Sequence, residues 1–145
     1  MVRAVARCFF GFVVACVVCA AVQVSFVLPP TSLAGVGDGR LTAVAIWMLL
    51  ATLHSAVFAA PFALVGLIFA ERWSWRNPGI YAAFGVAIGL LGLVAQLVKL
   101  GISAPLIVLG FMTLVLLIGG GLGGLAYWLV AGRFAGRPAA VTTVG

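Results

Sequence analysis

The residues of this chain that could carry chemistry are few, and His54 is the most informative of them. It is the only histidine in 145 residues, and it stands 13 residues after Leu41, where an apolar stretch begins. As a helix, that offset corresponds to about 20 Å, near the middle of a bilayer. An ionisable residue at this depth is a functional hypothesis by default. His54 is interpreted as a neutral histidine bonded between helices, as a proton or substrate site, or as a haem or chlorophyll-type pigment ligand.

Catalysis of the kind found in soluble enzymes has almost no residues to support it. The acidic residues are Asp38 and Glu71, which stand 16 and 17 residues from His54. Along one helix these offsets are about 24 and 26 Å, whereas a general-base pair needs its atoms within about 3 Å. Cys16 and Cys19 form a CxxC pair inside an apolar segment, and a zinc site would need two more ligands. We therefore predict no enzyme activity, no metal site and no cofactor other than a pigment at His54.

The composition identifies the solvent of the folded chain as lipid. Apolar residues make up 66% of the chain and charged residues 7%, with a mean hydropathy of +1.35. A soluble domain is roughly 45–50% apolar and about 25% charged. The net charge of +6 comes from basic residues spread singly near the chain ends and loops. That distribution indicates membrane topology and argues against nucleic-acid binding.

Four apolar stretches predict an all-α bundle of four transmembrane helices in a single membrane domain, residues 1–145. The predicted spans are residues 8–28, 41–70, 79–100 and 105–130. Pro61 predicts a kink in the second span. Asn77 and Pro78 predict the N-cap and first residue of the third helix, and Pro105 predicts the first residue of the fourth, after a cap at Ser103 or Ala104.

The first span has an alternative interpretation as a cleaved signal peptide. Arg3 and Arg7 would form its basic region, with cleavage after Ala20. The apolar run continues to Leu28, which is longer than the 7–15 residues typical of a signal peptide. Its length therefore favours a retained transmembrane helix.

The basic residues predict that both termini are cytoplasmic, because six of them fall on that side and two on the other. Aromatic residues also concentrate at the predicted inner interface. The predicted cytoplasmic anchors are Arg72, Arg76, Arg133, Arg137, Trp73, Trp75 and Trp128. Recognition of anionic lipid by a basic cluster takes 4–8 such residues, so Arg133 and Arg137 are interpreted as snorkelling anchors.

Glycine faces are the most abundant pattern in the chain. Small residues let helix backbones approach closely in lipid, which drives helix association. The faces predicted to pack helices are Gly85, Gly89 and Gly92 in the third span and the GxxxG pairs Gly119/Gly123 and Gly120/Gly124 in the fourth. They suit packing within the chain or a partner surface. We predict an accessory or interaction subunit, held to copies of itself or to other membrane proteins.

A second hypothesis comes from the depth of the uncharged polar residues. Gln23, Gln96 and Thr113 fall in the outer half of their spans, and His54 is the deepest polar residue. Leaving such groups in hydrocarbon is unfavourable. They therefore predict a small polar cavity, open to the outside and floored by His54, in a small transporter or channel.

The end of the fourth span, Gly123–Arg137, with the letters GGLAYWLVAGRFAGR, resembles an ending common in small four-span inner-membrane proteins of Gram-negative bacteria. That family is uncharacterised. The resemblance covers about a tenth of the chain and carries no site residues. It implies a bacterial inner membrane and says nothing about activity.

Overall fold

The computed structural model describes residues 2–27, 38–73, 76–100 and 105–134. These residues form helices α1 (Val2–Val27), α2 (Asp38–Trp73), α3 (Pro78–Leu100) and α4 (Leu106–Val130), followed by a 3₁₀ turn at Gly132–Phe134. No strand occurs among them. Each of the four helices is long and apolar enough to cross a membrane. The predicted fold class, an all-α bundle of four membrane-spanning helices, is confirmed.

The helix ends follow local chemistry, with one difference from the prediction. The N–H of Gly79 donates to Oδ1 of Asn77 at 2.9 Å, so Asn77 caps α3 and Pro78 is its first residue, as predicted. Pro105 was predicted as the first residue of α4, and this is wrong by one position. With φ −57° and ψ 140° it lies outside the helix as the N-cap. The proline ring fixes φ but not ψ, so proline can precede a helix as well as begin one. Ser103 and Ala104 lie outside the described residues.

Hydropathy marks the membrane-embedded part of a helix rather than its ends. The structure extends α1 back to Val2 and α2 back to Asp38, both beyond the predicted starts at residues 8 and 41. α2 has 36 residues and continues across Pro61, so it is about 54 Å long. That exceeds a hydrocarbon core of roughly 30 Å. The kink at Pro61 stays a prediction.

Consecutive helices run antiparallel, and α4 is the best-packed of them. It contacts α3 on one side and α1 on the other, while α2 packs mainly on α1 and has few contacts with α3. The order around the bundle is therefore α2, α1, α4, α3, with an open gap that we call the α2–α3 cleft. α1 begins beside the end of α4, with Gly11 against Ala131. We call this side of the bundle the termini end and the other side the opposite end.

The core consists of small residues and backbone. The buried apolar residues are Cys16, Ala20, Tyr81, Val115 and Ala131. Among the described residues no large side chain is completely buried, whereas large apolar side chains cover the outside. The bundle is therefore stabilised by close backbone contact, as expected where lipid removes the hydrophobic drive between helices.

The closest contact joins α3 to α4. A Cβ added at Gly85 would overlap the carbonyl oxygen of Gly120, and one added at Gly124 would overlap that of Tyr81. A Cβ at Gly89 would lie 2.5 Å from the carbonyl oxygen of Leu116. These positions exclude any side chain while the two backbones keep this separation.

The second GxxxG pair of α4 faces α1 instead. A Cβ at Gly119 would lie 3.3 Å from Sγ of Cys19, and one at Gly123 would lie 3.1 Å from the carbonyl oxygen of Ala15. Gly119 and Gly123 are also buried. Both GxxxG pairs of α4 therefore make helix contacts within the chain, each with a different neighbour.

A candidate ligand cavity in the α2–α3 cleft

A cavity of about 370 Å³ opens in the α2–α3 cleft toward the opposite end. Its polar lining comes from three helices: Gln23 of α1, His54 and Ser55 of α2, and Gln96 of α3. Three of the four residues predicted for a polar cavity are thus brought together. The rest of the lining is small or apolar, namely Cys19, Phe58, Ala59, Gly85, Ile88, Gly89, Gly92, Ala95, Leu116 and Gly120.

Gln23 holds the α1 side of the cavity against α2. Its Nε2 donates to Oγ of Ser55 at 3.4 Å and to Sγ of Cys19, one turn back, also at 3.4 Å. Ser55 was missed by the sequence argument, although it is a hydroxyl directly beside His54. The bond to Ser55 is longer than the usual 2.7–3.2 Å, so it orients the Gln23 amide at the cavity wall but holds it weakly.

The His54 imidazole and the Gln96 amide have no hydrogen-bond partner in the part of the chain that the structure describes. A neutral imidazole offers one donor and one acceptor, and an amide offers both. His54 is also exposed, as are Trp47 and Pro61 seven residues away on the same helix. An exposed residue that lines a cavity marks its mouth. The cavity therefore opens sideways on the bundle surface, about midway along α2.

Thr113 does not join this group. Its hydroxyl donates to the carbonyl oxygen of Leu109, one turn back in α4, at 2.8 Å. That bond satisfies the hydroxyl within its own helix, as threonine commonly does. Depth alone predicted Thr113, but depth does not specify which side of a helix faces a cavity.

A second, apolar cavity of about 140 Å³ continues the cleft toward the termini end. The two cavities share wall residues of all four helices, including Cys19, Ser55, Gly85 and Gly120. At its far end, the apolar cavity reaches Tyr81 and Tyr127, whose rings stack at 5.8 Å. Neither cavity has a charged side chain (Asp, Glu, Lys or Arg) among its described lining residues. The cleft is thus polar at one end and apolar at the other.

The cleft exists because α3 is drawn to α4 while α2 stays on α1. Where α2 and α3 do meet, an aromatic ring of one helix lies against a glycine of the other. A Cβ at Gly66 would lie 2.7 Å from the Phe84 ring, and one at Gly92 would lie 3.7 Å from the Phe58 ring. Gly92, predicted as a packing glycine, therefore faces the cleft with room for a side chain, unlike Gly85 and Gly89.

Three of the predicted interface anchors, Arg76, Trp128 and Arg133, lie at the termini end. Nε1 of Trp128 donates to the carbonyl oxygen of Arg76 at 2.7 Å, tying α4 to the start of α3. The guanidinium of Arg133 lies over the Phe134 ring at 4.7 Å. Trp75 and Arg137 lie outside the described residues, as do the side chains of Arg72 and Trp73.

Within the described ranges, no three residues of the His, Cys, Asp and Glu types come close enough to hold a metal ion. The comparisons with protein-family models, with curated proteins and with solved structures each found no match. Four apolar helices of spanning length decide the class. The chain is a multi-pass membrane protein. Its lipid contact follows from the large apolar side chains on the outside of the bundle.

Proposed function

We propose that this membrane protein binds a small amphipathic molecule inside the bilayer, in the α2–α3 cleft, and does no chemistry on it. One observation carries the proposal. His54 and Gln96, unpaired within the described residues, line a cavity of about 370 Å³ that leads into an apolar one. Cavities of roughly 300–1,000 Å³ with a few converging polar groups are typical ligand sites.

The lining defines the chemical class of the ligand. The polar end offers an imidazole, two amides and a hydroxyl, which together both donate and accept hydrogen bonds. An ion would lose its hydration there without meeting a formal counter-charge among the described lining residues, which is unfavourable. The ligand is therefore an uncharged alcohol, carbonyl or amide carrying a single apolar chain. Its chain lies toward Tyr81 and Tyr127.

Access is lateral, from the bilayer. His54 is exposed at the cavity mouth. It stands 13 residues after Leu41 and 12 residues, or about 18 Å, before Gly66, the first and last residues of the spanning segment, so it lies near the bilayer middle. A lipid-soluble molecule reaches that depth without crossing water. The small transporter predicted from the sequence would use the same site. It adds one step to ligand binding, the exchange of the ligand with the non-cytoplasmic side.

A photoreactive hexadecanol analogue with a diazirine beside the hydroxyl tests the proposal. The protein is purified in mild detergent, irradiated with the analogue, and the modified residues are mapped by mass spectrometry. We expect crosslinks at the cavity wall, lost when Gly92→Leu fills the cavity and reduced at least about fivefold in Gln96→Leu, the equivalent of one hydrogen bond of about 1 kcal/mol.

Thr113→Val is the matched control, because it removes a hydroxyl of similar depth that bonds within α4. It should crosslink like the unsubstituted protein. Crosslinks spread evenly over the lipid-facing surface, or an equal loss in Thr113→Val, would overturn the proposal. The elution profile and melting temperature of each variant establish that it folds.

A second candidate function is the accessory subunit predicted from the glycine faces. The GxxxG glycines of α4 pack within the chain, so they no longer argue for a partner surface. The α2 face of Trp47, His54 and Pro61 does argue for one, because it is exposed and places an imidazole at the bundle surface. A transmembrane helix with a polar residue would bond His54 there. Native mass in mild detergent distinguishes the two candidates, since a subunit co-purifies with other chains and a self-contained binder does not.

Pigment binding at His54 stays a third hypothesis. It predicts a visible absorption band in the purified protein that His54→Ala removes. The hexadecanol analogue would then compete with the pigment for the same mouth of the cleft.

A further inference from the structure

Two arginines from opposite ends of the chain meet around one aromatic ring at the termini end. Cζ of Arg7 lies 4.8 Å from the centroid of the Phe134 ring, and Cζ of Arg133 lies 4.7 Å from it. Both guanidiniums are therefore within cation–π range of the ring, which is about 6 Å. The two Cζ atoms are less than 10 Å apart, although 126 positions separate the residues in sequence.

The positive charge of this group is not neutralised among the described residues. Nη2 of Arg7 donates to the carbonyl oxygen of Phe134 at 3.5 Å, which is a long bond. Nε of Arg7 is buried and has no hydrogen-bond partner in the described parts of the chain. Neither Arg7 nor Arg133 forms an ion pair there. The two guanidinium charges meet no counter-charge among the described residues, which is unfavourable at the edge of the hydrocarbon, so an anion beside them is favoured.

The position of the group specifies where that anion lies. Arg7 stands two residues into the first spanning segment, Val5–Val27, and Arg133 stands three residues past the end of the fourth, Ile107–Val130. Both are at the depth where hydrocarbon gives way to headgroups. The anion found at this depth is the phosphate of a phospholipid, and in an anionic lipid no cation of the same headgroup offsets its charge.

We propose that Arg7, Arg133 and Phe134 form a binding site for the phosphate of one anionic phospholipid. Guanidinium forks bind phosphate through paired N–H bonds, and the Phe134 ring holds the two forks on a common support. Two basic residues are too few for recognition by a basic cluster, which takes 4–8. Binding therefore depends on how the Phe134 ring positions the two guanidinium groups. The site is independent of the α2–α3 cleft.

Native mass spectrometry of the full chain in detergent, titrated with phosphatidylglycerol or with zwitterionic phosphatidylcholine, tests the site. We expect one tightly bound phosphatidylglycerol and no comparable phosphatidylcholine. Arg7→Gln and Arg133→Gln should each weaken binding about fivefold, the change expected for one basic residue at an anionic surface. Arg40→Gln, at the start of α2 on the opposite end, removes the same charge and should leave binding unchanged.

Two further variants separate geometry from net charge. Phe134→Leu keeps both arginines and should still weaken binding, because the ring that positions them is gone. Arg7→Lys keeps the charge without the fork and should bind more weakly than the unsubstituted protein. It also serves if Arg7→Gln fails to fold, as judged by elution profile and melting temperature.

Several results would overturn the proposal. These are unchanged binding in Arg7→Gln and Arg133→Gln, an equal loss in Arg40→Gln, or full binding in both Phe134→Leu and Arg7→Lys. Displacement of the lipid by millimolar inorganic phosphate would show a site for free phosphate instead of a lipid headgroup.

Discussion

Replacing Gly85 with alanine tests whether backbone contact between α3 and α4 holds the bundle together. The added methyl would overlap the carbonyl oxygen of Gly120 and lie 2.8 Å from its carbonyl carbon. Carbon atoms in good contact are about 3.5–4.0 Å apart, so relieving the carbon contact alone separates the helices by roughly 0.7–1.2 Å, and the nearer carbonyl oxygen requires more. The atoms in the way are backbone and cannot rotate aside as a side chain would.

The matched control is Gly110→Ala in α4, where an added Cβ meets nothing within 4 Å. Overpacking typically costs about 1–3 kcal/mol. Alanine is favoured over glycine in a helix by about 1 kcal/mol, and both variants gain this because both positions are helical. The two variants should therefore differ by the overpacking cost alone, about 1–3 kcal/mol in the free energy of unfolding. In a chain of this size, 1 kcal/mol shifts the melting temperature by about 4 °C, so the gap is roughly 4–12 °C.

Thermal melting in one detergent, followed by the fraction that still elutes as a single species, measures this gap. Gly85→Ala should melt below the unsubstituted protein and Gly110→Ala at or above it. Melting temperatures within about 2 °C of each other would refute the reasoning, because the α3–α4 contact would then be loose enough to admit a methyl group.

Three smaller perturbations test other contacts. Trp128→Phe keeps an aromatic ring, although a smaller one, and loses the 2.7 Å bond to the Arg76 carbonyl, so it should lower stability by at least about 1 kcal/mol in the same melting assay. Gly123→Ala places a methyl 3.1 Å from an α1 carbonyl oxygen, so its melting temperature should fall, but less than that of Gly85→Ala. Cys16 is buried while the half-buried Cys19 lines both cavities, so a small maleimide should modify Cys19 faster, and the hexadecanol analogue should slow that reaction.

The sequence predicted the elements better than their pairing. Hydropathy identified four spans, because 18 or more apolar residues in a row have few structures other than a membrane helix. Glycine spacing identified the packing faces, but Gly119 and Gly120 are adjacent in sequence and pack on different helices. The GxxxG spacing assigns each of these glycines to a packing face but does not specify which helix packs on that face. That choice depends on how the helices are arranged around the bundle.

The candidate site was predicted only in part, because the sequence does not specify which side of each helix faces the cavity. Polarity and depth selected Gln23, His54 and Gln96, which line one cavity, and also Thr113, which bonds within its own helix. Ser55 was overlooked because serine is common in membrane helices and carries little signal by itself. The group around Phe134 could not be predicted from spacing, since its arginines meet only when the first and last helices pack side by side.

A core made of small residues also determines how relatives of this chain can be found. Outside the helix–helix contacts, the apolar residues face lipid, so one apolar residue can replace another with little effect. Their identities should therefore differ widely between relatives. The constrained positions are those where a single methyl group is excluded, chiefly Gly85 and Gly89 of α3 with Gly120 and Gly124 of α4. Distant relatives should therefore share the offsets between small residues in their third and fourth spans, even where the remaining sequence has diverged beyond recognition.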